Sequence, residues 1–307
     1  MNTYLIDDDP LTLVDAGPNS ATSLMALEAG LAEHGRRVED LERLVVTHQH
    51  IDHIGLTQIL ADRSGAEVCS LDALAPWLAR YADGMEDDDA FSQSVMHRHG
   101  IPEDVVLALR AVSRGFRAWG ASATVTRPLA DGSELGFADR TLHVLHRAGH
   151  SPSDTVFHDP ARGILVAGDH LIKHISSNPL VSRPLAGGRP EDRPKALVTY
   201  LASLEQTRRM ELEVVLAGHG DAFDGHAALI EERVRLHARR AERILRLIAD
   251  RPRSAYALAQ EMWGNIAVTQ AYLTLSEVLG HVDLLLADGS VEEREDGSGV
   301  VTFHPAG

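Results

Sequence analysis

The 307-residue chain predicts an α/β protein carrying a helical insertion and a helix-rich C-terminal domain, on three observations. Short apolar runs alternate with helical patterns over residues 1–70, in the order β-β-α-β-α-β. Residues 71–121 then read as helical before strand patterns resume. Beyond Gly225 long amphipathic helices take over and end in a small hairpin. Charged residues make up 24% and apolar residues 44%, a globular profile.

Taken in order, Thr3–Ile6 and Leu11–Val14 are apolar runs separated by the acidic turn Asp7-Asp8-Asp9-Pro10, a hairpin signal. Asn19 or Ser20 can cap a helix running to about His34. Leu44–Thr47 is a buried strand, followed by a helix from about Gly55 to Ser64 and a strand over Ala66–Ser70. The helical block 71–121 breaks at Gly100-Ile101-Pro102, where Pro102, Glu103 and Asp104 suit a new helix N-terminus. Its acidic run Glu86–Asp89 reads as a solvated face, and Met96-His97-Arg98-His99 adds two histidines. Strands follow at Ala123–Thr126, Glu134–Phe137, Leu142–His146, Thr155–His158, Ile164–Ala167 and Val214–Ala217, with a helix from near Pro194 that buries Tyr200. Ala227–Ala249, Ser254–Trp263 and Val268–Leu286 are helices, and Ser290–Arg294 with Val300–Phe303 form a hairpin. That order is winged-helix-like. The expected domains are therefore 1–226, with 71–121 as an insertion and lid or wall, and 227–307.

The net charge of −16 disfavours nucleic acid and anionic membranes as partners. A single cysteine, Cys69, excludes an internal disulfide framework and fits a reducing compartment. The N-terminus lacks a basic and then apolar leader pattern, and no stretch approaches a membrane span. These features predict a cytoplasmic protein.

The densest chemistry is Thr47-His48-Gln49-His50-Ile51-Asp52-His53, directly after the strand Leu44–Thr47. Three imidazoles and a carboxylate crowd together favourably only around something positive, and this N/O set suits zinc, iron(II) or manganese. Three later segments share one context, a strand end followed by a polar residue beside glycine. They are Ala148-Gly149-His150, Ala167-Gly168-Asp169 and Ala217-Gly218-His219. Strands ending at one sheet edge can deliver such side chains to one point, and small neighbours let the backbone approach.

From Thr3 to about Gly225 the sequence resembles the metallo-β-lactamase superfamily, whose fold is an αββα sandwich. The resemblance implies that His48, His50 and His150 bind one metal. It gives the second metal to Asp52, His53 and His219, and makes Asp169 the bridge. Asp15, in Val14-Asp15-Ala16-Gly17, would support the ligands without being one. The chain looks most like the glyoxalase II (hydroxyacylglutathione hydrolase) and β-lactamase-like protein 2 branch, which includes members with a C-terminal winged helix. Two departures stand out. His150-Ser151-Pro152-Ser153 lacks the glycine common after this histidine, and block 71–121 is longer than a plain glyoxalase II needs.

The implied cofactors are two divalent ions, zinc first, with iron or manganese as alternatives. Two such ions lower the pKa of a shared water to about 7 and polarise a carbonyl. Asp52 and Asp169 are then the catalytic carboxylates. Lys173, His174 and Asn178, in the loop after Asp169, are candidates to bind a substrate carboxylate or carbonyl. The expected activity is hydrolysis of a small acyl thioester or ester. Alternatives are a lactonase on the same site, a phosphodiesterase or ribonuclease, and a non-enzymatic winged-helix regulator of nucleic acid. The charge counts against the last two. Val268–Leu286 contains no lysine or arginine, so the C-terminal domain is expected to serve packing or homodimerisation.

Overall fold

The computed structural model describes residues 1–306, the side chain of Ala267 excepted. Five strands form a first sheet in the order β1 (Tyr4–Ile6), β2 (Thr12–Val14), β3 (Arg43–Val45), β4 (Glu67–Leu71) and β5 (Arg127–Leu129). β1 and β2 are the antiparallel hairpin expected around Asp7–Pro10, and the remaining pairs are parallel. A second sheet comprises β6 (Glu134–Gly136), β7 (Thr141–His146), β8 (Thr155–Asp159), β9 (Ile164–Gly168) and β10 (Val214–Ala217). β6 to β9 pair antiparallel, and β9 and β10 pair parallel, so β7, β9 and β10 point the same way.

Alternation along the strands explains the layering. Val14, Val45 and Cys69 of the first sheet and Val144, Phe157 and Val166 of the second share one buried cluster between the sheets. The opposite face of the first sheet, through Leu13, Leu44 and Val68, packs with Leu31 of α1 (Ala21–Glu33). Ser20 caps α1 by accepting from the Ser23 amide. α2 (Ile51–Ile54) begins four residues before the helix expected at Gly55, because His50 is already extended and can end the turn; α3 (Thr57–Ser64) follows. The strand expected over 123–126 begins only at Arg127. Thr126 sits at the ladder's edge, where its Oγ1 accepts from the Val68 amide at 2.9 Å.

Block 71–121 is helical as expected: α4 (Ala75–Ala79), α5 (Tyr81–Arg98) and α6 (Glu103–Phe116), with the break at residues 99–102. The chain divides into two compact units. Residues 1–86, 115–177 and 209–226 form the first; residues 87–114, 178–208 and those from Ala227 onward form the second. The junction at 226/227 is therefore one boundary among several, and 87–114 group with the C-terminal helices.

The second unit contains α7 (Ala196–Arg208), α8 (His226–Asp250, apart from its first residue), α9 (Ala255–Trp263), α10 (Ile266–Thr269) and α11 (Ala271–Ala287). A small sheet of β11 (Arg253–Ser254), β12 (Val291–Glu295) and β13 (Val301–Pro305) has β13 at its centre. α11 is the core element, with Leu275, Val278, Leu279 and Val282 fully buried. The acidic run is not simply solvated: Arg183, only 15% exposed, bonds Asp88 at 2.8 Å and lies 3.5 Å from Asp87. No described helix is long and apolar enough to cross a membrane.

Candidate metal centre

Every expected ligand lies just beyond the C-terminal end of a strand in the first unit. β3 leads into 47–53, β7 to His150, β9 to Asp169 and β10 to His219. Those strands share a direction within each sheet, so their ends gather at one edge. His48 Nε2 lies 3.0 Å from His50 Nδ1, and His150 Nε2 lies 2.9 Å from the same atom. Opposite them, Asp52 Oδ2 lies 3.2 Å from His219 Nε2 and 3.6 Å from His53 Nε2. Asp169 stands between the two groups. One carboxylate oxygen is 3.7 Å from His150 Nε2 and 3.4 Å from His219 Nε2; the other is 3.5 Å from His53 Nε2.

The supporting atoms fix how these rings are protonated. Asp15 is the one described non-glycine residue with positive φ, 60°, and it is buried. Its carboxylate accepts from the Thr47 amide at 2.9 Å and hydroxyl at 2.8 Å, and lies 2.8 Å from His53 Nδ1. His53 Nδ1–H therefore donates to Asp15 and Nε2 faces the cluster. The Thr47 hydroxyl, having given its proton to Asp15, accepts from His48 Nδ1 at 3.0 Å, so His48 too turns Nε2 inward. One carboxylate thus orients two rings, which raises ligand basicity. The resemblance implies Asp15 as support, but the sequence leaves open which rings it holds and does not indicate Thr47.

The missing glycine after His150 also finds its explanation. Ser153 accepts from the Gln49 amide at 3.0 Å and donates to the Gln49 side chain, tying the His150 turn between His48 and His50. Ser151 and Asp154 close the turn, the hydroxyl and carboxylate 2.7 Å apart. Glycine matters elsewhere: a Cβ on Gly218 would fall 2.2 Å from Asp169 Oδ1.

The cluster is electrostatically divided. Burial, followed by the neighbouring histidines His53 and His50, holds His48 well below the usual imidazole range, and burial with His150 takes His50 to about 3. These rings are held neutral, and their nitrogens converge. Burial would lower His53, but Asp15 and Asp169 outweigh it and raise it to about 10. His219 rises to about 9 through Asp169 and Asp52. Burial would raise the carboxylates, yet the histidines bring Asp52 to about 2 and Asp169 well below the normal range.

The donor set fits divalent metal. Converging ring nitrogens about 3 Å apart approach the roughly 3.3 Å edge expected of a tetrahedron with 2.0–2.1 Å bonds. His53 Nε2 and Asp169 Oδ1 are buried and face each other at 3.5 Å without a well-formed hydrogen bond. Two buried polar atoms left so would be costly unless something else satisfies them.

The profile of the metallo-β-lactamase superfamily matches residues 2–219. The chain belongs to this superfamily. The probable metallo-hydrolase YqjP of Bacillus subtilis (strain 168) is 30% identical over 297 residues, covering 97% of this chain and 91% of that protein. A metallo-β-lactamase family protein from Thermus thermophilus shares the fold with a TM-score of 0.79 at 26% identity, covering 99% of this chain and 93% of that one. The human acyl-coenzyme A thioesterase MBLAC2 is 34% identical over 146 residues, 46% of this chain and 47% of its own.

The other sequence candidates scatter. Lys173 and His174 are exposed, and the His174 ring would lie 3.4 Å from a Cβ on Gly220, beside His219. Asn178 belongs to the second unit, where its amide donates to the Leu273 carbonyl at 3.2 Å. His99 is buried, stacked on Phe303, and exposed His97 lies 3.2 Å from Glu103. Cys69 is core, its thiol pushed by burial up to about 12. The last turn of block 71–121 lies beside the chain that follows the ligand stretch: the Trp119 carbonyl accepts from Asn19, and a Cβ on Gly55 would fall 2.3 Å from it.

Proposed function

We propose that this metallo-hydrolase cleaves small acyl thioesters or esters with two divalent ions, zinc foremost. His48, His50 and His150 would hold one ion, Asp52, His53 and His219 the other, and Asp169 both. When bound, such ions supply a deprotonated water at neutral pH and polarise a carbonyl oxygen. The chain's own residues do the rest. Asp15 and Thr47 hold two rings in the ligating tautomer, and the carboxylates of Asp52 and Asp169 keep cationic charge at the centre. Asp52 and His219, with side chains 36% and 35% exposed, give that half of the centre access to solvent and so to substrate.

The observation that carries this reading is the complete ligand set with its supporting Asp15. Charge counts against a nucleic-acid phosphodiester, because a long polyanion approaching a protein of net charge −16 is repelled over about 8 Å at physiological salt; it does not rank the small substrates, since coenzyme A carries phosphates of its own. The partial likeness to an acyl-coenzyme A thioesterase supports a thioester. Nothing in the ligand set distinguishes an open-chain ester from a lactone, so the assay must. Metal-loaded protein is to be tested against S-lactoylglutathione, acyl-CoA, homoserine lactones and bis-nitrophenyl phosphate side by side. Thioester or ester turnover is expected; turnover of the phosphodiester alone, lost in His150→Ala, would replace this reading with a nuclease.

A further inference from the structure

A cleft of about 490 Å³ runs along α1 within the first unit and has Asp52 in its wall. Its size lies within the roughly 300–1,000 Å³ of small-molecule sites. Most of its walls are aliphatic: Leu5 and Leu13 from the hairpin, Leu27 and Leu31 from α1. The α1 residues that line it are Ser23, then Ala26 and Leu27, Gly30 and Leu31, and His34, one stripe at helical spacing. From Ser23 to His34 that stripe extends about 16 Å.

The end near Asp52 is tied to the metal loops. Ala16 donates to the His53 carbonyl at 2.8 Å and Leu56 to the Gly17 carbonyl at 3.1 Å, joining the cleft's loop to α2. Asn2 donates to the Gly218 carbonyl at 2.6 Å, joining the N-terminal strand to the loop of His219. Asp52, a member of the second group of ligands, is thus shared between the wall of the cleft and the centre.

Gly30 shows what the channel is shaped for. Glycine inside a helix costs stability relative to alanine and is usually retained where another atom needs the space. Here a Cβ would meet nothing within 4 Å, so no neighbour demands it. Its effect is to leave the cleft open midway along α1.

We propose that this cleft binds the acyl chain of the substrate, a medium to long aliphatic chain whose carbonyl end lies at Asp52. The proposal rests on the acyl-hydrolase reading above. A chain laid along Leu5 and Leu27 leaves water, and each buried methylene improves binding roughly fourfold until the cleft is full.

The test uses the full-length, metal-loaded protein and acyl-CoA thioesters of even chain length from C4 to C16. The wild type should show kcat/KM rising with chain length, mainly through KM. Gly30→Phe, which fills the cleft from a position with free space, should lower the C12/C4 ratio of kcat/KM at least tenfold; Ala26→Leu should lower it less. A second readout is calorimetric binding of the non-hydrolysable thioether dodecyl-CoA, expected to weaken at least tenfold in Gly30→Phe. If chain-length profile and dodecyl-CoA affinity are the same in both variants as in the wild type, the cleft is not the acyl site. If the wild type turns over S-lactoylglutathione or a homoserine lactone but no acyl-CoA of any length, this proposal fails and the acyl-hydrolase reading stands; if it turns over none of them, both fall.

Discussion

His53 and His237 are both fully buried histidines grouped with a second histidine and a carboxylate, one in each unit, yet their surroundings finish them differently. In the second unit, Glu277 is paired with Arg240. The ring nitrogens are closed by protons: His281 Nδ1 donates to the Glu277 carbonyl at 2.6 Å, and His237 Nδ1 to His281 Nε2 at 3.1 Å. Only the far nitrogen of His237 lacks a partner, and burial holds that ring neutral, its pKa down to about 3. In the first unit Asp52 and Asp169 pair only with histidines among the described residues. Composition alone would rank the two clusters alike. What separates them is whether protein cations have already neutralised the carboxylates and whether lone pairs converge.

The largest effect should come from breaking the first cluster. Asp169→Ala is expected to lower kcat/KM by more than about 100-fold, beyond the 10–100-fold typical of losing a supporting partner. Steady-state assays on the best acyl substrate check it; full turnover would refute the bridging role. Next comes the support itself. Asp15→Asn keeps the size but weakens the hold on His53 and Thr47, and metal affinity should fall about 10–100-fold in chelator competition. Unchanged affinity would show that the positive-φ turn is only a chain reversal.

How much of this was legible in the sequence depends on reach. The seven candidate ligands lie in local patterns, four within residues 48–53 directly after a strand and three beside glycine at later strand ends, so the sequence displays them. Asp15 acts on His53 and Thr47 only because β2 and β3 are parallel in the register Val14 with Val45. Ser153 and Gln49 meet across 104 positions, a contact no local spacing announces. The α1 cleft stays hidden for another reason: an apolar stripe on a helix reads the same whether it meets a core or an empty groove. Residues 87–114 were legible as helices, but amphipathicity gives a face and not its neighbour, so their grouping with the C-terminal helices was not.

Smaller effects sharpen the contrast from the second unit. His99 is buried beside Phe303 and, through desolvation first, its pKa is lowered to about 3. The unfolded chain binds that proton below about 6.5, the folded one only near 3, so the unfolded state holds more protons between and stability falls as pH drops through that window. His99→Phe removes the titration. Its denaturation midpoint relative to wild type should therefore improve from pH 7.5 to pH 5, with the metal centre common to both; a constant difference would contradict the burial argument. The smallest expected signal is none: α11, with most residues buried, should give no salt-sensitive duplex DNA binding in a mobility-shift assay.

The most direct test of the contrast is metal stoichiometry of the purified chain by elemental analysis, wild type beside Asp169→Ala and the double variant His237→Leu/His281→Leu. Two ions per chain are expected for the wild type, fewer for Asp169→Ala, and two again for the double variant. Loss of metal from the double variant, or full retention by Asp169→Ala, would contradict the assignment of the metal centre to the first unit.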